Sequence, residues 1–109
     1  MLECYEPSLV AWDILEKSAD FYLDVDDEQA VEALRRLARP VASDPAMQIG
    51  ESGAAGLAGL LAAVADPAMR DRLGLNAKSR VLLIGTEGAT DPELYERLLK
   101  DGTAAFAAH

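Results

Sequence analysis

Arg80-Val81-Leu82-Leu83-Ile84-Gly85 is the stretch on which the fold reading turns. Four apolar side chains follow one another between an arginine and a glycine. The run is short, and it fits a β-strand buried on both faces, as in the interior of a parallel sheet. A second strand signal lies at Asp20 to Val25, where Phe21, Leu23 and Val25 alternate with polar or less apolar neighbours. Met47 to Ile49 is read as a third, very short strand.

Helices fill the intervals. Pro7 to Lys17 places Leu9, Trp12, Leu15 and Ala19 at helical spacing, with Pro7 in the first turn and Cys4 to Ser8 leading in. Asp26 and Gln29 have the spacing of a capping box. The helix they open, Asp27 to Arg39, aligns Ala30, Val31, Leu34 and Leu37 and stops at Pro40. Gly53 to Ala65 follows the turn Gly50-Glu51-Ser52, and Asp66-Pro67 starts a short helix ending at Gly74. Asp91 caps a last helix from Pro92 to Lys100, closed by Asp101-Gly102, and residues 103–109 read as a loose tail. Strands alternating with helices give an α/β fold: an incomplete three-layer portion of a parallel sheet with flanking helices. Two firm strands do not make a sheet, and a fully apolar strand needs neighbours on both sides, so strands are expected to be missing from this chain.

Composition narrows the function. The 109 residues fit one domain or less, and the formal net charge of −9 comes with no basic stripe, which argues against nucleic acid and anionic membranes as partners. The longest apolar run, Gly53 to Ala65, is too short to span a bilayer, and acidic Glu3 and Glu6 follow Met1 where a signal peptide would be basic. One cysteine, Cys4, allows no internal disulfide and suits a reducing cytoplasm. The one histidine, His109, is the last residue, and no metal-ligand cluster is visible. Asp24, Asp26, Asp27 and Glu28 lack the glycine and terminal glutamate of a calcium loop.

Two constellations can carry chemistry. Gly50-Glu51-Ser52-Gly53 puts a carboxylate and a hydroxyl where a helix begins, a place that suits anions. Gly53, Gly56 and Gly59 leave one flank bare for a sheet, a helix or a flat ligand, while plain capping by Ser52 is the structural alternative. The second constellation, Gly85 to Asp91, lies at the carboxyl end of the main strand, where open α/β sheets bind ligands; the alternative is an ordinary loop capped by Asp91. Lys17, Lys78 and Lys100 all have polar surroundings unlike those of a desolvated Schiff-base lysine.

Taken in order, CYEPSLVAWDILEKSAD, VDDEQAVEALRRLA, GESGAAGLAGLLA and SRVLLIGTEGATDPELY resemble the C-terminal part of the diaminopropionate ammonia-lyase family, within the tryptophan-synthase-β-like (fold type II) pyridoxal-phosphate enzymes. The resemblance covers residues 2 to 100, and GESGA with its spacing to LLIGTEGATDPE is its specific part. It implies α,β-elimination of 2,3-diaminopropionate to pyruvate and ammonia, with pyridoxal 5'-phosphate as electron sink. It implies that Thr86, beside Gly85, faces the pyridine nitrogen, and that Glu51, Ser52 and Gly53 border the ring. Gly85 stands where relatives often have serine. The family's Schiff-base lysine motif and glycine-rich phosphate cup have no counterpart in these 109 residues. The chain is therefore expected to be a C-terminal fragment, 1–109, inactive alone, acting on a small amino acid only with its N-terminal part or as a homo-oligomer. A serine/threonine dehydratase and a noncatalytic α/β dimerisation or binding module are the alternatives.

Overall fold

A computed structural model describes residues 5–107 of the chain. Cys4 and His109 lie outside these. The described elements are all helices: α1 (Leu9–Ser18), α2 (Asp27–Ala38), α3 (Ala55–Ala65), α4 (Pro67–Arg72), α5 (Pro92–Asp101) and α6 (Ala104–Ala107).

Local sequence accounts for most helix starts. At α2 the Asp26 carboxylate accepts from Gln29 N (2.8 Å), and the Gln29 side chain accepts from Asp26 N (2.9 Å), completing the capping box. Asp66 and Asp91 cap α4 and α5, each with proline in the first turn. Ser8, not Pro7, opens α1, its hydroxyl accepting from Ala11 N at 3.2 Å. Gly102 ends α5 with φ +62°, a left-handed backbone that favours glycine.

The core sits where α2, α3 and α5 meet. Val31, Ala33 and Leu34 of α2 pack with Ala58 of α3, with Leu94, Tyr95 and Leu98 of α5, and with Ala54 and Ala105. Alanines in the interface allow α2 and α3 to come close, so two leucines, Leu34 and Leu98, are the largest fully buried side chains. Arg35 ties α2 to the end of α5, its Nε donating to the Leu98 carbonyl at 2.9 Å, where helix carbonyls and the helix dipole favour a cation. The turn at Gly102 folds the chain back, so 104–107 form α6, with Ala105 buried and Phe106 packed on the core, in place of a loose tail.

The sheet expected from the sequence does not form among the described residues. Phe21–Val25 and Arg80–Gly85 lie in neither helix nor strand, and no backbone–backbone hydrogen bond joins either segment to another described residue. Among the described residues the one β-type pairing is an isolated antiparallel bridge between Ile49 and Gly88, so the strand read at Met47 to Ile49 shrinks to a single residue. The reason is non-local: a strand is stabilised by its ladder partners, and none lies beside these segments. Their side chains nevertheless alternate. Val81 and Leu83 are 47% and 41% exposed, against 85% and 76% for Leu82 and Ile84. One residue of each segment leans on α3: a Cβ on Gly56 would meet Leu83 at 3.6 Å, and one on Gly59 would meet Leu23 at 3.9 Å. The two segments thus lie against α3 without forming the sheet. The stripe read on α1 also stays uncovered: Leu9, Trp12 and Leu15 are exposed, no α1 residue is buried, and α1 packs on no other described helix.

Candidate functional site

Both constellations read from the sequence converge on one place. The turn at residues 50–54 and the loop at residues 85–88 lie against each other. Gly50 N donates to the Glu87 carbonyl at 3.2 Å, beside the Ile49–Gly88 bridge. The Glu87 carboxylate reaches across, and its Oε1 accepts from Ser52 N at 3.1 Å and Gly53 N at 3.3 Å.

This clasp corrects the sequence reading of the helix start. The free N–H groups ahead of α3 do attract an anion, but the anion is the chain's own Glu87, 35 residues away from Ser52. α3 begins at Ala55, two residues later than expected, and its N-cap Ala54 makes no side-chain hydrogen bond. The bare flank at Gly53 also has a chain neighbour. A Cβ there would stand 2.7 Å from the Glu87 carbonyl oxygen and 2.7 Å from Ile49 Cγ2, and one on Gly85 would stand 3.0 Å from the Gly53 carbonyl oxygen. Gly50 is hemmed in likewise, 2.7 Å from the Gly88 carbonyl oxygen. Three glycines therefore serve the approach of two loops.

Of the candidate residues, Glu51, Ser52 and Gly53 are half-buried, whereas Gly85 and Thr86 are exposed. Glu87 is the residue that sequence reasoning missed. Nothing local marks it, because its partners are distant in sequence; its one signal is a carboxylate in a glycine-rich loop, paired with an uncapped glycine-alanine helix start. Behind the clasp, a crevice of about 40 Å³ is lined by Gly50, Glu51, Gly88, Ala89, Thr90, Asp91, Leu94 and Tyr95. Such a space holds a water molecule or so, not a pyridine ring. Burial and the nearby Glu96 carboxylate push the Tyr95 hydroxyl above its usual pKa, against the opposing pull of Arg39. Among the described residues, no group of three or more His, Cys, Asp or Glu side chains could hold a metal ion.

No protein-family profile matches the chain. Individual proteins do match. The chain is 38% identical to diaminopropionate ammonia-lyase of Escherichia coli K12 over 110 aligned positions, 97% of this chain and 27% of the relative. Sequence and fold both match the C-terminal part of diaminopropionate ammonia-lyase. The Salmonella typhimurium LT2 diaminopropionate ammonia-lyase is 35% identical over 108 positions, 95% of this chain and 27% of its own length. The E. coli ammonia-lyase crystallised in complex with D-serine superposes with a TM-score of 0.82 at 36% identity, covering 92% of this chain and 26% of that one. Its apo form gives 0.81 at 35% identity, covering 89% and 28%. The chain thus spans about a quarter of the ammonia-lyases it matches. Among the described residues, no helix is long and apolar enough to cross a membrane.

The diaminopropionate ammonia-lyase family is pyridoxal-phosphate-dependent, and the question for this chain is which of its residues could hold that group. They do not fit as its holder. Lys17 is exposed and paired with Asp13 at 3.0 Å, and Lys78 and Lys100 are exposed, so none of the three lysines is a desolvated amine. The α3 start, which could take a phosphate, is filled by Glu87.

Proposed function

We propose that this chain is the C-terminal portion, residues 1–109, of a pyridoxal-phosphate-dependent ammonia-lyase that converts 2,3-diaminopropionate to pyruvate and ammonia. The single observation that supports this most is the match to the E. coli enzyme along 97% of the chain, clasp region included. In the complete enzyme the cofactor supplies the electron sink for α,β-elimination, and its anchoring amine and phosphate cradle come from the remaining part of the fold. This chain's contribution is a wall. The Glu87 clasp holds Ser52 and Gly53 against the loop of Gly85 and Thr86, and in the complete enzyme Glu51, Ser52, Gly53, Gly85 and Thr86 would border the ring, the Thr86 hydroxyl being the group offered to its nitrogen. The enzyme works in the cytoplasm on a small amino acid, as a homo-oligomer; the lone cysteine supports the compartment.

The test is a pair of assays for pyruvate and ammonia released from 2,3-diaminopropionate. The isolated chain turns over nothing. A chimera in which the chain replaces the matching C-terminal quarter of the E. coli enzyme is active, and Thr86→Val lowers its kcat and shifts the cofactor absorbance. Turnover by the isolated chain would refute its incompleteness. A soluble, cofactor-loaded chimera without turnover would refute the lyase assignment.

A further inference from the structure

Both chain neighbours of Thr86 are fixed against the turn at residues 50–54. Before it, Gly85 comes so close that a Cβ there would stand 3.0 Å from the Gly53 carbonyl oxygen. After it, Glu87 is tied through backbone and side chain. Its carbonyl accepts from Gly50 N at 3.2 Å, and its Oε1 accepts from Ser52 N at 3.1 Å and Gly53 N at 3.3 Å. The turn is shaped to this residue. A Cβ on Gly50 would overlap Glu87 Oε1, and one on Gly53 would stand 2.7 Å from the Glu87 carbonyl oxygen and 3.4 Å from Glu87 Cβ. Thr86 itself is exposed, so packing of its own side chain contributes little to where it stands.

We propose that Glu87 is a positioning residue for the elimination: its carboxylate sets the place of Thr86, and its loss impairs turnover through Thr86 and not through loss of fold. This assignment rests on the ammonia-lyase reading and adds to it the group that holds Thr86 in place. Three features single out a glutamate carboxylate. Amides ahead of a helix carry partial positive charge, so an anion binds them more strongly than a neutral acceptor does. The Oε1 distances of 3.1 and 3.3 Å leave no slack, and a side chain one methylene shorter falls outside hydrogen-bond range. The third feature is the pair of attachment points. Backbone bonding at Gly50 and at the Ile49–Gly88 bridge leaves the loop free to pivot about that line, and the side-chain attachment at Ser52 and Gly53 stops the pivot. A displacement of about 1 Å of a group beside the reacting centre costs up to about 100-fold in rate.

The experiment uses the chimera in which this chain replaces the matching quarter of the E. coli enzyme, with rates counted per cofactor-loaded site so that unfolded protein does not enter. Glu87→Ala and Glu87→Asp each lower kcat by about 10- to 100-fold, with a much smaller change in KM. Glu87→Gln, which keeps the length and one oxygen, recovers part of the loss. Combined with Thr86→Val, Glu87→Ala lowers kcat no further than Thr86→Val does alone, to within about twofold, because the two act as one unit. The cofactor absorbance moves in the same direction in Glu87→Ala as in Thr86→Val. Should Glu87→Ala fail to load, Glu87→Gln enters the same double-variant cycle. The assignment is overturned if the two effects multiply, if kcat per loaded site is unchanged in Glu87→Ala, or if Glu87→Asp equals the wild type. A chimera that loads cofactor and turns nothing over refutes the lyase reading instead. The absorbance of the single and double variants then decides the role of Glu87: equal shifts support it, and additive shifts overturn it.

Discussion

Glu87→Ala is the most informative perturbation of the clasp. It deletes the acceptor of two backbone N–H groups, Ser52 at 3.1 Å and Gly53 at 3.3 Å. A hydrogen bond to a charged group contributes about 1.5–3 kcal/mol net when short and shielded. Here one oxygen serves two donors, both longer than the usual ~2.9 Å, and Glu87 is half-buried, so each falls below that range. Loss of a helix cap, the nearest equivalent, costs about 1 kcal/mol. The expected destabilisation is therefore about 1–2 kcal/mol, with Glu87→Gln at roughly half of that, because its amide keeps an oxygen and loses the charge. Urea unfolding followed by circular dichroism measures it, and amide exchange at Ser52 and Gly53 should accelerate together. Coupling to Gly50 sharpens the test. A Cβ at Gly50 would lie 2.9 Å from Glu87 Cδ and 2.7 Å from the Gly88 carbonyl oxygen. Gly50→Ala is accordingly destabilising, and less so once Glu87 is alanine, because one of the two clashes is gone. Unchanged unfolding and unchanged exchange at both amides in Glu87→Ala, with Glu16→Ala on α1 as the surface control, would show that the clasp carries no weight.

The remaining predictions address the core, the loops and pH. Gly53→Ala drives a methyl between the Glu87 carbonyl and Ile49, so a loss of about 1–3 kcal/mol is expected by the same urea titration. Leu98→Ala, emptying the centre of the helical core, should cost about 2–5 kcal/mol, whereas Leu82→Ala in the isolated chain should stay within about 0.5 kcal/mol, since Leu82 is 85% exposed. Tyr95 ionises less readily in the folded chain than in the unfolded one. Its stabilising effect is full below the unfolded value of about 10 and is lost as pH rises through the folded value. Alkaline unfolding should therefore begin near pH 10 and be milder in Tyr95→Phe, as read by circular dichroism beside the tyrosinate absorbance of the wild-type chain.

Much of the site was legible as residues and little of it as geometry. GESGA and LLIGTEGATDPE mark both walls, and their resemblance to the ammonia-lyase family holds along nearly the whole chain. Which groups fill the helix start was not legible, because Ser52 is the local candidate and Glu87 lies 35 residues away. Glycine tells that something comes close; whether a ligand or another loop does so depends on where the chain returns.

The starts of α2, α4 and α5 follow from sequence alone because their determinants lie within one turn of each: Asp26 with Gln29, Asp66 with Pro67, Asp91 with Pro92. So does the alternation of Phe21, Leu23 and Val25, which line one groove beside α3. Tertiary structure alone decided whether RVLLIG becomes a strand, whether α1 buries its apolar stripe, and whether 104–107 coils up against the core. A helix closes its hydrogen bonds within itself, while a strand depends on a neighbour that its own residues cannot specify. Here the nearest neighbours of Val81 to Ile84 are α3 on one side and solvent on the other.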